Sequence, residues 1–127
     1  MIQFFDLTVE PVVQFVDCFE PSDSFELFKI LQEAINYKSS LYIRLTAGAN
    51  TRIINSNDYK FKIGKAIEIM SGDDVAIISC GNILGNCIDA ALSLRNNKIS
   101  CSVINMHTIK PIDKKKIVEI SKKFKLI

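Results

Sequence analysis

Apolar positions along the chain follow two rhythms, one unbroken and one spaced by three and four. "DVAIISC" (74–80) is a continuous apolar run rich in β-branched residues, bounded by "SGDD" before it and "GN" after it, which predicts a strand buried on both faces of a parallel sheet. Next, Leu84, Cys87, Ile88, Ala91 and Leu92 recur at the positions of one helical face, until "NNK" (96–98) ends the pattern. "SCSVINM" (100–106) then reads as a second strand, and strand, helix and strand at this spacing make a right-handed βαβ unit. Pro111 blocks further strand pairing, and Asp113 is placed to cap a helix whose apolar positions are Ile117, Ile120 and Phe124. Glu119 and Lys123 lie at i,i+4 on that helix, an ion pair worth about 0.3–0.5 kcal/mol. The final "KLI" reads as the opening of a third, unfinished strand.

The first third of the chain has the same vocabulary. "VVQFVDCF" (12–19) is strand-like, and "PSDSFELFKILQEAINYK" (21–38) opens with Pro21 and an Asp23-x-x-Glu26 capping box before an apolar face of Leu27, Leu31, Ala34 and Ile35. "LYIRLT" (41–46) alternates, with Leu41, Ile43 and Leu45 on one side and Tyr42, Arg44 and Thr46 on the other. Two strands and one helix cannot enclose a core of their own, so this segment must lean on the rest of the chain, on another copy, or on further sequence. The stretch 47–64, rich in Asn, Gly and Ser, marks a boundary, and "KAIEIMSGD" (65–73) predicts a short strand that turns back through Gly72. The expectation is an α/β protein with a mostly parallel sheet and flanking helices, in two units, 1–46 and 62–127, joined by a linker at 47–61.

Composition narrows this reading. With 48% hydrophobic and 24% charged residues the chain should fold. No apolar run approaches the roughly 20 residues needed to span a bilayer, and the N-terminus lacks a basic leader, which predicts a cytoplasmic protein with no membrane contact. Cys18, Cys80, Cys87 and Cys101 show neither zinc-site spacing nor disulfide density, and read as reduced thiols beside apolar segments. Charge is uneven: residues 1–40 carry seven acids against Lys29 and Lys38, and residues 110–127 carry seven lysines against Asp113 and Glu119. The basic tail has no arginine and only Phe124 among its lysines, which reads as a solvated helix face rather than a nucleic-acid surface.

Little in the chain carries chemistry by itself. The turn "CGNILGN" (80–86) has no dinucleotide or Walker fingerprint and reads as a tight βα turn with Gly81 at its corner. The only histidine, His107, sits in "INMHTIKPID", about 20 Å along an extended strand from Cys101, so the two form no dyad. No Cys, Asp or Glu partners cluster with it in sequence for a metal site. It reads instead as the exit of the second central strand. Arg44 is the candidate binding residue: a guanidinium near the C-terminal end of a strand, able to hold a phosphate or carboxylate, with a structural ion pair as the alternative role.

The order of segments resembles the C-terminal half of transketolases, above all the split bacterial type whose halves are separate chains. The likeness runs from about Asp6 to Ile127 and is carried by "PSD" (21–23), "YIRL" (42–45), "IGKA" (63–66) and "TIKPID" (108–113). It implies that residues 1–46 end a pyrimidine-binding domain and that residues from 62 begin a Rossmann-like, three-layer C-terminal domain, both incomplete. It also implies two-carbon ketol transfer between sugar phosphates with thiamine diphosphate and a divalent metal such as Mg, an N-terminal half as partner, and a homo-oligomer. The family's catalytic and cofactor residues belong to regions outside this chain, so the resemblance assigns it no catalytic, cofactor or metal residue. Where many relatives have a second, phosphate-contacting arginine, this sequence has Ala47, and Arg44 matches the first arginine, which is not the usual phosphate ligand, so the resemblance leaves the substrate open. A deoxyxylulose-phosphate synthase, the β subunit of a 2-oxo acid dehydrogenase and a non-enzymatic α/β interaction module are the alternatives.

Overall fold

In the computed structural model, which describes residues 16–45, 52–54 and 60–127, the predicted βαβ unit is the centre of the molecule. Strand β4 (Val75–Ser79) runs through a short 3-10 turn (Gly81–Ile83) into helix α2 (Leu84–Asn96) and back into β5 (Cys101–Asn105). β4 and β5 pair in parallel, from Val75 opposite Cys101 to Ser79 opposite Asn105. A preceding strand, β3 (Ile67–Met70), adds antiparallel to the far side of β5, giving the order β3-β5-β4. β5 is therefore central and buried along its whole length, whereas β4 is only half-buried. Periodicity cannot tell a central strand from its neighbour, and the strand buried on both faces is β5, not the 74–80 run.

Helices cover both faces of this sheet. Leu84, Ile88 and Ala91 of α2 pack on Cys101 and Val103, while Ile120 and Phe124 of α3 (Lys114–Lys123) pack on Ala76 and Ile104. Alternate β5 residues thus feed opposite cores, as the pleat requires. Leu92 falls outside the α2 core and is exposed. Asp113 caps α3 by accepting from the Lys116 N–H at 3.1 Å. Glu119 pairs with Lys116 at 2.8 Å rather than with Lys123, which reaches Asp73 at 2.8 Å, so the predicted i,i+4 pair gives way to a link between α3 and the turn after β3. That turn needs Gly72, because a Cβ there would stand 2.3 Å from the Cys101 carbonyl carbon. Past α3, Leu126 bridges Val75 in parallel, where the opening of a third strand was expected.

The first segment does lean on the rest of the chain. β1 (Asp17–Phe19) pairs in parallel with β2 (Leu41–Ile43) and, on its other side, antiparallel with β6 (Thr108–Lys110), so this sheet joins strands from both sides of 47–61. β6 is a strand that sequence reading missed: three residues between His107 and Pro111 leave the central sheet for another. The "VVQF" part of the predicted first strand (12–15) and Thr46 lie outside the described residues.

Helix α1 (Ser24–Ala34) starts at Asp23 as its capping motif predicts. Its buried line is Glu26 and Ile30, with Leu27 and Ala34 half-buried, while Leu31 and Ile35 of the predicted face are exposed. The helix is turned because Glu26 is drawn inward by polar partners described below. Leu45 is likewise exposed, because β2 ends at Ile43. Past the helix, the Tyr37 hydroxyl donates to Asp17 at 2.6 Å and its ring meets Phe19 edge-on, fastening α1 to β1. No helix among the described residues is long and apolar enough to cross a membrane.

Candidate functional site

The C-terminal ends of β1, β2, β4 and β5 converge, the place where α/β proteins bind ligands. Main-chain bonds knit them: Arg44 N–H donates to Phe19 O at 2.8 Å, Glu20 N–H to His107 O at 2.9 Å, Gly81 N–H to Glu20 O at 3.2 Å and Met106 N–H to Ser79 O at 2.7 Å. Gly81 turns the corner at φ +65°, as its place in the βα turn predicts, and a Cβ there would come within 2.6 Å of Glu20 Oε1. The Glu20 carboxylate fills that corner.

Around it the chemistry is subdued. The Cys80 thiol reaches Glu20 Oε2 at 3.5 Å. Burial, and then the neighbouring Glu20 charge, pushes the Cys80 pKa up to about 12, and the same two causes raise that of Cys18. A thiol held protonated is a poor nucleophile. All four cysteines are free, Cys18 and Cys101 buried and Cys80 and Cys87 half-buried, as the composition implied.

Arg44, the one residue singled out by sequence, follows β2 directly. Its side chain is 61% exposed, and its nearest described acid, Glu20 Oε2, is 3.9 Å from Nη1, an ion-pair distance beyond hydrogen-bond reach. Among the described residues this contact is the ion pair expected as its alternative role, and it is a loose one. Ala47 lies outside the described residues.

A second group of polar side chains, which sequence reading missed, lies buried beside this junction. The expected capping box is half used: Asp23 Oδ1 accepts the Glu26 N–H at 2.7 Å, and Asp23 Oδ2 accepts the Ile54 N–H at 2.7 Å. The Glu26 carboxylate turns inward instead, accepting from Ser22 N–H at 2.7 Å, Ser22 Oγ at 2.8 Å and Asn105 Nδ2 at 2.8 Å. His107 follows two residues on, fully buried, its Nδ1 2.9 Å from Thr108 Oγ1 and its ring 4.4 Å from that of Phe61. Burial lowers its pKa to about 4, so it is neutral near pH 7. The exit role read for His107 thus fits, but in company. The available signal was Asn105 itself, a polar residue at the end of an apolar strand where nothing in the sequence announced a partner.

Ser22, Glu26 and Asn105 bond to one another, and His107 to Thr108. Among the described residues no three His, Cys, Asp or Glu side chains are gathered to hold a metal ion. Three of the seven acids that gave the first segment its negative balance are committed inside the fold: Asp17 to Tyr37, Asp23 to two amides, Glu26 to Ser22 and Asn105.

Comparison with known proteins adds identity. The family model for the transketolase C-terminal domain matches residues 64–127. One of the subunits of the apulose-4-phosphate transketolase of Phocaeicola vulgatus is 30% identical over 93 residues, covering 73% of this chain and 30% of its own length. The 1-deoxy-D-xylulose-5-phosphate synthase of Caldanaerobacter subterraneus is 28% identical over 123 residues, 97% of this chain and 20% of that protein. The chain therefore spans about a third or less of these relatives. Among solved structures, a split-gene transketolase described as an inactive beta4 tetramer superposes with a TM-score of 0.81 at 27% identity, over 87% of this chain and 36% of that one.

Proposed function

The chain belongs to the transketolase family, whose C-terminal domain it carries at residues 64–127, and on that footing we propose that it is the C-terminal portion of a transketolase-like, thiamine-diphosphate-dependent enzyme. The complete enzyme moves two-carbon ketol units between sugar phosphates in the cytoplasm. In this reading residues 1–46 close the pyrimidine-binding domain, 47–61 form the linker and 62–127 belong to the C-terminal domain. The observation that carries it is the collinear likeness, in fold and in sequence together, to the split-gene transketolase structure.

This portion acts by assembly. A diphosphate and its metal need clustered oxygen or imidazole ligands. The described residues do not fit such a site, since they gather no metal-ligand group and turn Glu26 and Asn105 on each other. As the family resemblance implies, the reading gives the catalytic groups to sequence upstream of the region covered here and the diphosphate and metal ligands to the other half of the enzyme, and routes no step through this chain. Copies of this chain associate with one another and stay inactive until that half joins. Arg44, exposed at the strand ends, is the substrate-binding residue this chain offers, although it matches the family's first arginine and not the usual phosphate ligand.

The experiment is reconstitution. The chain is mixed with a separately expressed N-terminal half and assayed for ketol transfer with and without thiamine diphosphate and Mg. Transfer that needs both halves and the cofactor is expected; no association and no transfer would remove the reading. The synthase relative supports a second reading, and assaying the same mixture for deoxyxylulose phosphate separates the two.

A further inference from the structure

The corner where β1, β2 and β4 end holds two opposite charges in unlike settings. Glu20 is nearly buried, its side chain 14% exposed, whereas the Arg44 side chain is 61% exposed, and Oε2 and Nη1 stand 3.9 Å apart. The acid is fixed from several sides. Its main chain bonds to His107 and Gly81, and its carboxylate lies against Gly81 and takes the Cys80 thiol on Oε2 at 3.5 Å. Among the described residues Arg44 is held through its main chain, by the bond from its N–H to Phe19 O. Its guanidinium meets Glu20 as a charge contact, without the hydrogen bonds of a closed fork.

The two thiols beside this pair register the balance of charge. At both Cys18 and Cys80 burial is the largest cause of the raised pKa; Glu20 comes next and raises it further, and the opposing pull of Arg44 is smaller. The nearly buried acid therefore outweighs the exposed cation inside the corner. An anion that reaches Arg44 meets this carboxylate too, and repulsion in partly desolvated surroundings is stronger than in water. A repulsive group set beside an attractive one narrows what a site will take.

We propose that Glu20 is a specificity-determining residue: it is the built-in counter-anion of Arg44, which an anionic substrate end must displace before the guanidinium can hold it. Arg44 then binds anions only by exchange, and weakly. Neutral, hydroxylated substrate ends meet no such repulsion and can donate to the carboxylate. The proposal rests on the reading of Arg44 as a substrate-binding residue and names the charge of the ligand as what the corner discriminates.

The intact chain tests this without the other half of the enzyme. The arginine Nε–H signals are followed by proton–nitrogen spectra as inorganic phosphate is added near pH 7 at constant ionic strength. In Glu20→Gln the Arg44 signal should move at about a tenth of the phosphate concentration that the unchanged protein needs. Arg52, already paired with Asp89 at 2.8 Å, should respond alike in both proteins. Equal phosphate affinity at Arg44 in the two would overturn the proposal. Carbon-13 spectra give a second readout that does not depend on whether Glu20→Gln folds. In the unchanged protein phosphate should move the Glu20 carboxyl signal toward its position in Arg44→Ala; a carboxyl signal that stays put while Arg44 responds would show that no exchange takes place. In the reconstituted enzyme Glu20→Gln should lower KM severalfold for phosphorylated substrates and leave it unchanged for unphosphorylated ones, and an equal change for both would remove the discrimination. Ketol transfer that fails altogether removes the enzymatic reading and leaves the phosphate titration to decide this one.

Discussion

Asn105 Nδ2 donates to Glu26 Oε1 at 2.8 Å across 79 positions of sequence, joining the first helix to the last residue of the central strand. Both side chains are fully buried, so removing either partner strands the other. Asn105→Leu should lower stability by about 1.5–3 kcal/mol, the range for a hydrogen bond to a charged group. Because the two touch, the double variant Glu26→Leu/Asn105→Leu should cost less than the sum of the singles by roughly 0.5–3 kcal/mol. Urea unfolding of the four proteins measures this; strict additivity would mean that the contact does not hold α1 in place.

Gly72 passes so close to β5 that an added methyl would stand 2.3 Å from the Cys101 carbonyl carbon and 2.6 Å from Ser102 N. Neither atom is a side-chain tip that can swing away. Gly72→Ala should therefore cost at least the 1–3 kcal/mol or so of ordinary overpacking and separate β3 from β5. A melting temperature equal to that of the unchanged protein would show that the turn relaxes freely.

The raised thiol pKa values have a direct readout. Cys18, Cys80 and Cys101 are each pushed up, chiefly by burial. Alkylation requires thiolate. In the native protein near pH 7 these three should resist iodoacetamide over a period that labels all four cysteines in urea, with peptide mass mapping as the measurement. Rapid native labelling of Cys80 would contradict the Glu20 environment.

Arg44 should be separable from folding. With its side chain 61% exposed and its nearest described acid at 3.9 Å, Arg44→Ala should change stability by less than about 0.5 kcal/mol. In the reconstituted enzyme the same variant should raise KM for phosphorylated substrates and spare unphosphorylated ones. An equal effect on both would remove the phosphate role.

What the sequence made legible follows from what periodicity and caps encode. The run 74–80 and the spacing Leu84–Ile88–Ala91 identify β4 and α2 because burial on one sheet selects apolar residues at those intervals. Asp23 and Asp113 mark helix starts because a cap is a local bond, legible within three residues. The α1 face was misread because Leu31 and Ile35 look like core, while the buried position is the acid Glu26, whose partner lies in β5. Strand order escaped for the same reason: β5 is central only because β3 arrives on its far side. The contact of Glu26 with Asn105 is made by long-range folding, and no spacing rule connects positions so far apart.

His107 also predicts how stability responds to acid. In the folded protein burial lowers its pKa from 6.5 to about 4, against the opposing effect of the Lys65 main chain. Between those two values the unfolded chain binds a proton that the folded one refuses, so the unfolded state holds more protons there and stability rises with pH. The contribution is complete above the unfolded value and is lost as pH falls through the window, by about 3 kcal/mol if the shift is fully expressed. Asp113 acts lower down. Despite partial desolvation, amide hydrogen bonds and Lys65 hold its carboxyl below its ordinary 3.8, so its contribution is lost only as pH drops further. The two are distinguished by His107→Phe, which keeps an aromatic ring against Phe61 and removes the titrating group. Melting temperatures from pH 7 down to pH 3 should fall for the unchanged protein from about pH 6.5 onward. For His107→Phe they should stay flatter to about pH 4 and only then decline. Parallel curves for the two proteins would show that His107 takes up its proton in the folded state as readily as in the unfolded one, which its burial forbids.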